Sequence, residues 1–395
     1  MAAAANLRHG PVPLGPTAKQ PEFELLLACC GKAVSDSELA ALLRFPIRWE
    51  RLLSFAEQHC VIPAVFNLLQ DQPDVPASIQ SAVKARFQRN VRNALRFSAK
   101  LSGILQKFES SGIDVLPHKG PVLAELLFGD VTMRQFGDLD LLVRARDIPR
   151  ARAALQELGY QPNLQLSARQ ERAYLRSGYE YVFGGAAGKY LIELQWQILP
   201  RFYSVSFDMD ALFVRSVETE FEGQRARTFR KEDLMMVACV HAAKHEWSQL
   251  GMLRDIAALG RFDLDWNQVE HEARRLGIVR IVLVSLLLAR DLLGCQLPDG
   301  FGVGDDIGIC EQLASGFQCR LRNGDRSDTE SLNYFRTMMR LRERWQDRAR
   351  FAVRLAITPS VGEWRTLPMP DRLFPMYRAV RGIRLLRRFC TLGRV

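Results

Sequence analysis

The sequence predicts an α+β protein: a mixed β-sheet core with helices, flanked by a helical N-terminal region and an all-helical C-terminal region. Three observations carry that prediction. Short apolar or alternating runs gather in one middle stretch, at Gly112–His118, Asp138–Val143, Tyr179–Phe183 and Tyr190–Trp196, and these read as strands. Helical periodicity fills residues 23–109 before them and returns from Lys231 to the end. With 395 residues, 48% hydrophobic and 25% charged, the chain is long and apolar enough to bury a substantial core. The expected segments are a flexible tail over 1–22, a helical domain over 23–111, the sheet core over 112–225, a second helical domain over 226–325 and a basic helical region over 326–395.

Each element has its own signal. The first twenty residues are rich in Ala, Pro and Gly and lack the apolar stretch of a signal peptide. Helix caps are expected at Ser35-Asp36-Ser37-Glu38 and at Ser54, and Pro73-Asp74-Val75-Pro76 marks a loop. A long helix from about Ser78 to Glu109 carries Arg86, Arg89, Arg92 and Arg96 on one side and stops at Ser110-Ser111-Gly112. A strand to His118 follows, then Lys119-Gly120-Pro121 and the helical run Val122–Phe128. Gly120 allows close backbone approach, Pro121 suits the first helical position, and the free N–H groups of that turn favour an anion. After the Asp138–Val143 strand come a helix over Asp147–Leu158 and a hairpin of the last two strands. The hairpin turn Gly184-Gly185-Ala186-Ala187-Gly188 is not read as a phosphate loop, because strands flank it and no helix start follows. Gly300-Phe301-Gly302-Val303-Gly304 is likewise too weak a match to a dinucleotide motif.

The chemistry concentrates in the middle. Asp138 and Asp140 stand two apart at the start of an apolar strand, so they share one face, about 7 Å apart along the backbone. Two carboxylates so placed oppose each other's ionisation unless a cation joins them. The strict alternation of Tyr190–Trp196 puts Leu191, Glu193 and Gln195 on one face, which makes Glu193 the natural third carboxylate. Lys119 and Arg134 add positive charge nearby. His241 and His245 stand four apart on one helix face with Lys244 between them, but the glutamate of H-E-x-x-H is missing, which disfavours a catalytic zinc. Eight scattered cysteines without a C-x-x-C pair read as buried reduced thiols.

The order Lys119-Gly120 plus helix, then Arg134, then Asp138-Leu139-Asp140-Leu141-Leu142-Val143, then Glu193 resembles the nucleotidyltransferases of the DNA polymerase beta superfamily. More narrowly it resembles a poorly characterised bacterial nucleotidyltransferase family that carries Lys-Gly, Arg and Asp-x-Asp-x-Leu-Val in one block. The likeness takes in Phe55–Pro63, His241–Trp247 with Asp255-Ile256-Ala257, and Leu367–Pro370 with the arginine-rich helix after it, covering most of residues 25–390. It implies a nucleotidyltransferase-type core that moves a nucleoside monophosphate from an NTP such as ATP to a hydroxyl-bearing acceptor. It further implies two Mg²⁺ or Mn²⁺ ions on Asp138, Asp140 and Glu193, and nucleotide contacts from Lys119, Gly120, Arg134, His241 and Lys244. Two departures stand out: Gly120-Pro121 replaces the usual Gly-Gly or Gly-Ser pair, and Gln195 stands where a histidine is common. The acceptor is left open among a sugar, a lipid-linked intermediate, a peptide and RNA.

The net charge of +10 is uneven. From Ser331 to Val395 there are fifteen arginines, no lysine and four acids, so this segment alone accounts for the excess. Arg378, Arg381, Arg384, Arg387 and Arg388 recur at helical spacing around Ile383, Leu385, Leu386 and Phe389. That helix reads either as a solvated face or as a contact to an anionic membrane, RNA or a phosphorylated substrate. The longest apolar run, Ile281–Ala289, is far short of a membrane span, so the expected location is the cytoplasm, at most peripheral to a membrane. The alternative to an enzyme is a silent adaptor on the same fold that binds membrane or RNA through its arginine-rich tail.

Overall fold

The computed structural model describes residues 20–31, 34–185, 190–298, 300–302, 307–325, 328, 331–358, 363–364, 367, 369–370, 373 and 376–392. It is a mixed α+β structure. Five helices lead in: α1 (Pro21–Cys30), α2 (Asp36–Leu43), α3 (Trp49–Gln58), α4 (Ile62–Leu69) and the long α5 (Ala77–Ser110). The sheet region runs β1 (Val115–Pro117), α6 (Gly120–Phe128), β2 (Leu139–Val143), α7 (Ile148–Glu157), β3 (Gln161–Pro162), α8 (Ala168–Ser177), β4 (Glu180–Gly184), β5 (Tyr190–Gln195) and α9 (Met209–Val214). A separate hairpin, β6 (Val217–Phe221) and β7 (Gln224–Thr228), precedes α10 (Lys231–Lys244), α11 (Leu250–Leu259), α12 (Trp266–Leu276) and α13 (Val279–Leu293). The chain closes with α14 (Ile307–Asn323), α15 (Leu332–Arg340), α16 (Trp345–Ile357) and α17 (Tyr377–Leu392).

The five-stranded sheet has the order β1-β2-β5-β4-β3. All its neighbours are antiparallel except β2 and β5, which run parallel with Asp140 beside Glu193. All five residues of β2 are buried, as befits a strand with neighbours on both sides and helices over it. One apolar core lies around this sheet, where Phe97, Leu101 and Phe108 of α5 meet Leu139, Leu141, Phe183 and Trp196. A larger core joins the N-terminal helices to the later ones: Phe23, Leu26 and Leu52 share it with Leu253, Val284 and Leu288. The lead-in helices therefore do not enclose a core of their own. Gly31 shows how closely they fit, since a Cβ there would lie 2.5 Å from Leu293 Cα.

Several expectations are met in detail. Ser35 and Glu38 form a reciprocal capping box on α2, and α6 opens on Gly120-Pro121 and ends on left-handed Gly129. Others are corrected. Ser54 does not cap a helix; it lies inside α3, because the buried stripe Leu52, Leu53, Phe55 and Ala56 extends the helix back to Trp49. Helix α1 begins at Pro21, inside the segment expected to be a tail, because Glu22 is buried and accepts hydrogen bonds from Arg48. The capped helix α8 and the β6–β7 hairpin were not expected. That hairpin turns on Glu222-Gly223, both at positive φ, a two-residue turn that needs no Asn or Asp. Its strand β7 runs through position 225, where the sheet core was expected to end. Residues 1–19 of the tail, Ala186, Ala187 and Gly188 of the hairpin turn, Val303 and Gly304 of the glycine loop, and the side chains of Leu386, Arg387, Arg388 and Phe389 lie outside the described residues. No helix among the described residues is long and apolar enough to cross a membrane.

Candidate active site

The start of β2 and the stretch of β5 beside it, the start of α6 and the α10–α11 corner enclose a cavity of about 380 Å³ lined by Lys119, Gly120, Arg134, Asp138, Asp140, Glu193, His241 and Lys244. Every residue expected at the site from sequence is therefore in one place. Asp255, His245, Cys60, Gln249 and Arg254 also line it.

Local structure explains the placement. Parallel register sets Asp140 and Glu193 side by side on adjacent strands, and the two-residue pleat brings Gln195 onto the same face as Glu193. Gln195 Nε2 donates to Asp140 Oδ1 at 2.9 Å and to Glu193 Oε2 at 3.0 Å. Lys119 Nζ donates to the same Asp140 oxygen at 2.7 Å. Gly120 has φ of +58°, and a Cβ there would stand 3.4 Å from the carbonyl oxygen of Asp138, so glycine lets α6 begin against the Asp138 backbone. Arg134 is held by Asp255 of α11 through bonds of 2.9–3.1 Å, which commits its guanidinium to structure. On the far wall Lys244 Nζ donates to the Tyr179 hydroxyl at 2.9 Å, and its carbonyl accepts from Tyr334 at 2.9 Å. The His241 and His245 rings stand 4.8 Å apart.

Strained backbone surrounds the cavity. Cys60, Glu246 and Trp247 all have positive φ without being glycine. The turn at Cys60 is tied to α11 by Gly251 N–H donating to the His59 carbonyl at 2.9 Å. Trp247 is fully buried and donates to Ser285 at 2.9 Å, which fixes the end of α10.

The electrostatics set three carboxylates against two ammonium groups. Burial, then repulsion from Asp140, pushes Asp138 up to about 6. Burial, then Asp140 and Glu180, pushes Glu193 up to about 9. Burial opposes ionisation of Asp140 as well, but Lys119 and His118 outweigh it and hold that carboxyl well below the usual range. Burial, with Lys119 and His245, keeps His241 neutral by lowering it far below its ordinary value, and His245 is lowered to about 4.

The donor set fits a hard divalent cation, because hard oxygen ligands line one wall and two of the three carboxyls resist ionisation there without added positive charge. As they stand, however, no three His, Cys, Asp or Glu side chains among the described residues are close enough to enclose an ion. Lys119 supplies the positive charge that Asp140 meets in this structure.

The model of a family described as "uncharacterised nucleotidyltransferase" matches residues 46–294, which include the whole cavity. The chain belongs to that nucleotidyltransferase family. Family membership makes general nucleotidyl transfer the activity class of this protein. A crystal structure of an antigenic nucleotidyltransferase-like protein from Paracoccidioides brasiliensis is similar at 16% identity over 53% of this chain and 97% of that one, with a TM-score of 0.34. No protein of curated function matches.

Sequence reasoning did not assign a role to Gln195, Asp255, Tyr179 or Cys60. Asp255 and Gln195 were visible as residues of the resembling segments, but their partners lie 121 and 55 residues away and no local signal pairs them. The expected basic C-terminal helix is in part structural: Arg381 and Arg384 both bind the fully buried Glu363 at 3.1 Å. Ile383 on the same helix is 53% exposed.

Proposed function

We propose that this nucleotidyltransferase-family protein is a metal-dependent enzyme of the polymerase beta type that moves an NMP from an NTP to a hydroxyl-bearing acceptor and releases pyrophosphate. The observation that supports this most is the pairing of Asp140 with Glu193 on parallel strands, with Asp138 and the Lys119-Gly120 helix start in the same cavity. In the reaction the acceptor hydroxyl gives up its proton to water as its oxygen bonds to the α-phosphorus, the bond from that phosphorus to the bridging oxygen breaks, and pyrophosphate leaves with the bond's electron pair. Asp138, Asp140 and Glu193 would hold two Mg²⁺ or Mn²⁺ ions, which supply Lewis-acid activation of the hydroxyl and neutralise charge on the phosphates. Lys119, Lys244 and the first-turn amides of α6 give the cavity its attraction for the triphosphate. Arg134 shapes the floor through Asp255 rather than offering a free guanidinium. The neutral His241 and His245 give the nucleotide an uncharged wall.

The test is label transfer from α-³²P NTPs with Mg²⁺ or Mn²⁺ into protein, RNA, lipid and glycan fractions, comparing the wild type with Asp138→Asn/Asp140→Asn. The expected outcome is label with the wild type alone. Mg²⁺ should also raise the Tm of the wild type, by mass action on the native state, and leave the double variant unmoved. Folded protein that transfers no label from any NTP, and whose Tm ignores Mg²⁺, would overturn the reading.

A further inference from the structure

A second cavity of about 580 Å³ opens beside the first, and Cys60, Gln135, Phe136 and Gly137 line both. Its outer wall is one face of α5, which presents Arg86, Arg89, Arg92 and Arg96. The only carboxylate among the described lining residues is Glu57, which pairs with Arg86 at 3.1 Å and Arg89 at 3.0 Å. Arg92 and Arg96 are exposed and have no carboxylate partner among the described residues. Arginines three or four residues apart share one broad face of the helix, and from Arg86 to Arg96 they span about 15 Å of its axis. Asn90 and Asn93, on the same face, donate to the carbonyls of Thr132 and Phe136 at 2.7 and 2.9 Å, which fixes the row against the loop entering Asp138. The half-buried ring of Phe136 stands where the two cavities meet.

We infer that this groove binds the acceptor, and that the acceptor is a single-stranded nucleic acid whose terminal hydroxyl is delivered past Phe136 to the carboxylates. The inference rests on the transfer reading of the neighbouring cavity. Four guanidinium groups with the single carboxylate of Glu57 among them leave positive charge spread along about 15 Å of α5, which matches successive phosphates of a strand, whereas one phosphate group would meet only a part of that length. An aromatic ring at the end of a basic track is the arrangement that single strands use, with bases stacked and backbone phosphates paired. The triphosphate of the NTP has its own positive groups in Lys119 and Lys244, so the α5 row is left for a second anion.

The test is a binding measurement, independent of transfer. A fluorescein-labelled single-stranded RNA of about ten nucleotides is titrated with the full chain in a salt series and followed by anisotropy. Arg92→Glu/Arg96→Glu should weaken binding at least about tenfold and lower the slope of log K against log salt by about 1.4, two phosphate contacts' worth. Arg172→Glu/Arg176→Glu on α8, which lines another basic cavity, is the control and should bind like the wild type. Asp138→Asn/Asp140→Asn should still bind RNA, which separates this result from any failure of the catalytic reading. Three outcomes overturn the inference: no RNA binding by the wild type, equal binding by Arg92→Glu/Arg96→Glu, or loss in that variant of ATP binding rather than RNA binding. Both arginines are exposed, so unchanged thermal unfolding is expected and confirms that the variant is folded.

Discussion

At the scale of single residues, the site is organised by polar groups that each serve two partners. Gln195 places one amide nitrogen between Asp140 and Glu193, which keeps two carboxyls of opposite titration behaviour in register. Arg134 and Asp255 close the floor, with side chains 18% and 9% exposed. A pair this deep is worth little against an apolar substitute, but removing one member leaves a charge without a partner. Asp255→Ala should therefore cost about 3 kcal/mol of stability, measured by urea unfolding, and Arg134→Met/Asp255→Leu should recover most of the loss. A loss below about 1 kcal/mol, in the range of an exposed pair, would show that Asp255 is not what holds Arg134.

At the scale of elements, the start of α6 matters most. The left-handed Gly120 turns the chain out of β1 so that helix amides and Lys119 face the carboxylates. A side chain there meets an unfavourable φ and a carbonyl oxygen at the limit of contact. Gly120→Ala is expected to lose about 1–2 kcal/mol, and transfer activity should fall by more than stability explains, because relief of the contact moves α6 away from Asp138. Thermal unfolding and label transfer on the same preparation check this. Unchanged activity in a folded Gly120→Ala protein would mean that the close approach is not needed. Helix α5 is the other element with two duties: its apolar face enters both cores, while its arginine face walls the second cavity.

At the scale of the whole molecule, the shared core couples the lead-in helices to the site. His59 lies at that junction, 1% exposed, against the rings of Phe23 and Phe55, with neither ring nitrogen in a well-formed hydrogen bond. Burial lowers it to about 4 from an ordinary 6.5. Between those values the unfolded chain binds a proton that the native chain refuses, so stability falls as pH drops from 6.5 toward 4. The contribution is up to about 3 kcal/mol. His59→Leu should lessen this slope by the share of one histidine, the buried His118, His241 and His245 carrying the rest, as read by urea unfolding between pH 7 and 4. An equal pH slope in wild type and variant would rule out His59 as a cause.

The sequence by itself determined the α+β class, the strands and helices that carry the Asp138–Asp140 and Glu193 segments, and a set of candidate residues that the fold brings into one cavity. It could do so because period-two and helical patterns, Gly120-Pro121 and the Asp138–Asp140 spacing are local signals, and because Glu193 lies on a strand with clean alternation. The start of α3 and the extent of α1 were less legible, since burial against distant helices, not a cap, decided where they begin. The hairpin at Glu222-Gly223 was missed because its strands are short and largely polar, with Glu218 and Glu220 facing Arg227 and Arg225 on one face, and because its turn lacks the usual asparagine. Only the tertiary structure decided the partners: Lys119 on Asp140, Arg134 on Asp255, Arg381 and Arg384 on Glu363, and α5 beside the loop to Asp138. Charge pairing of this kind depends on chain closure over many residues, where many arginines and acids compete and only the folded geometry selects among them.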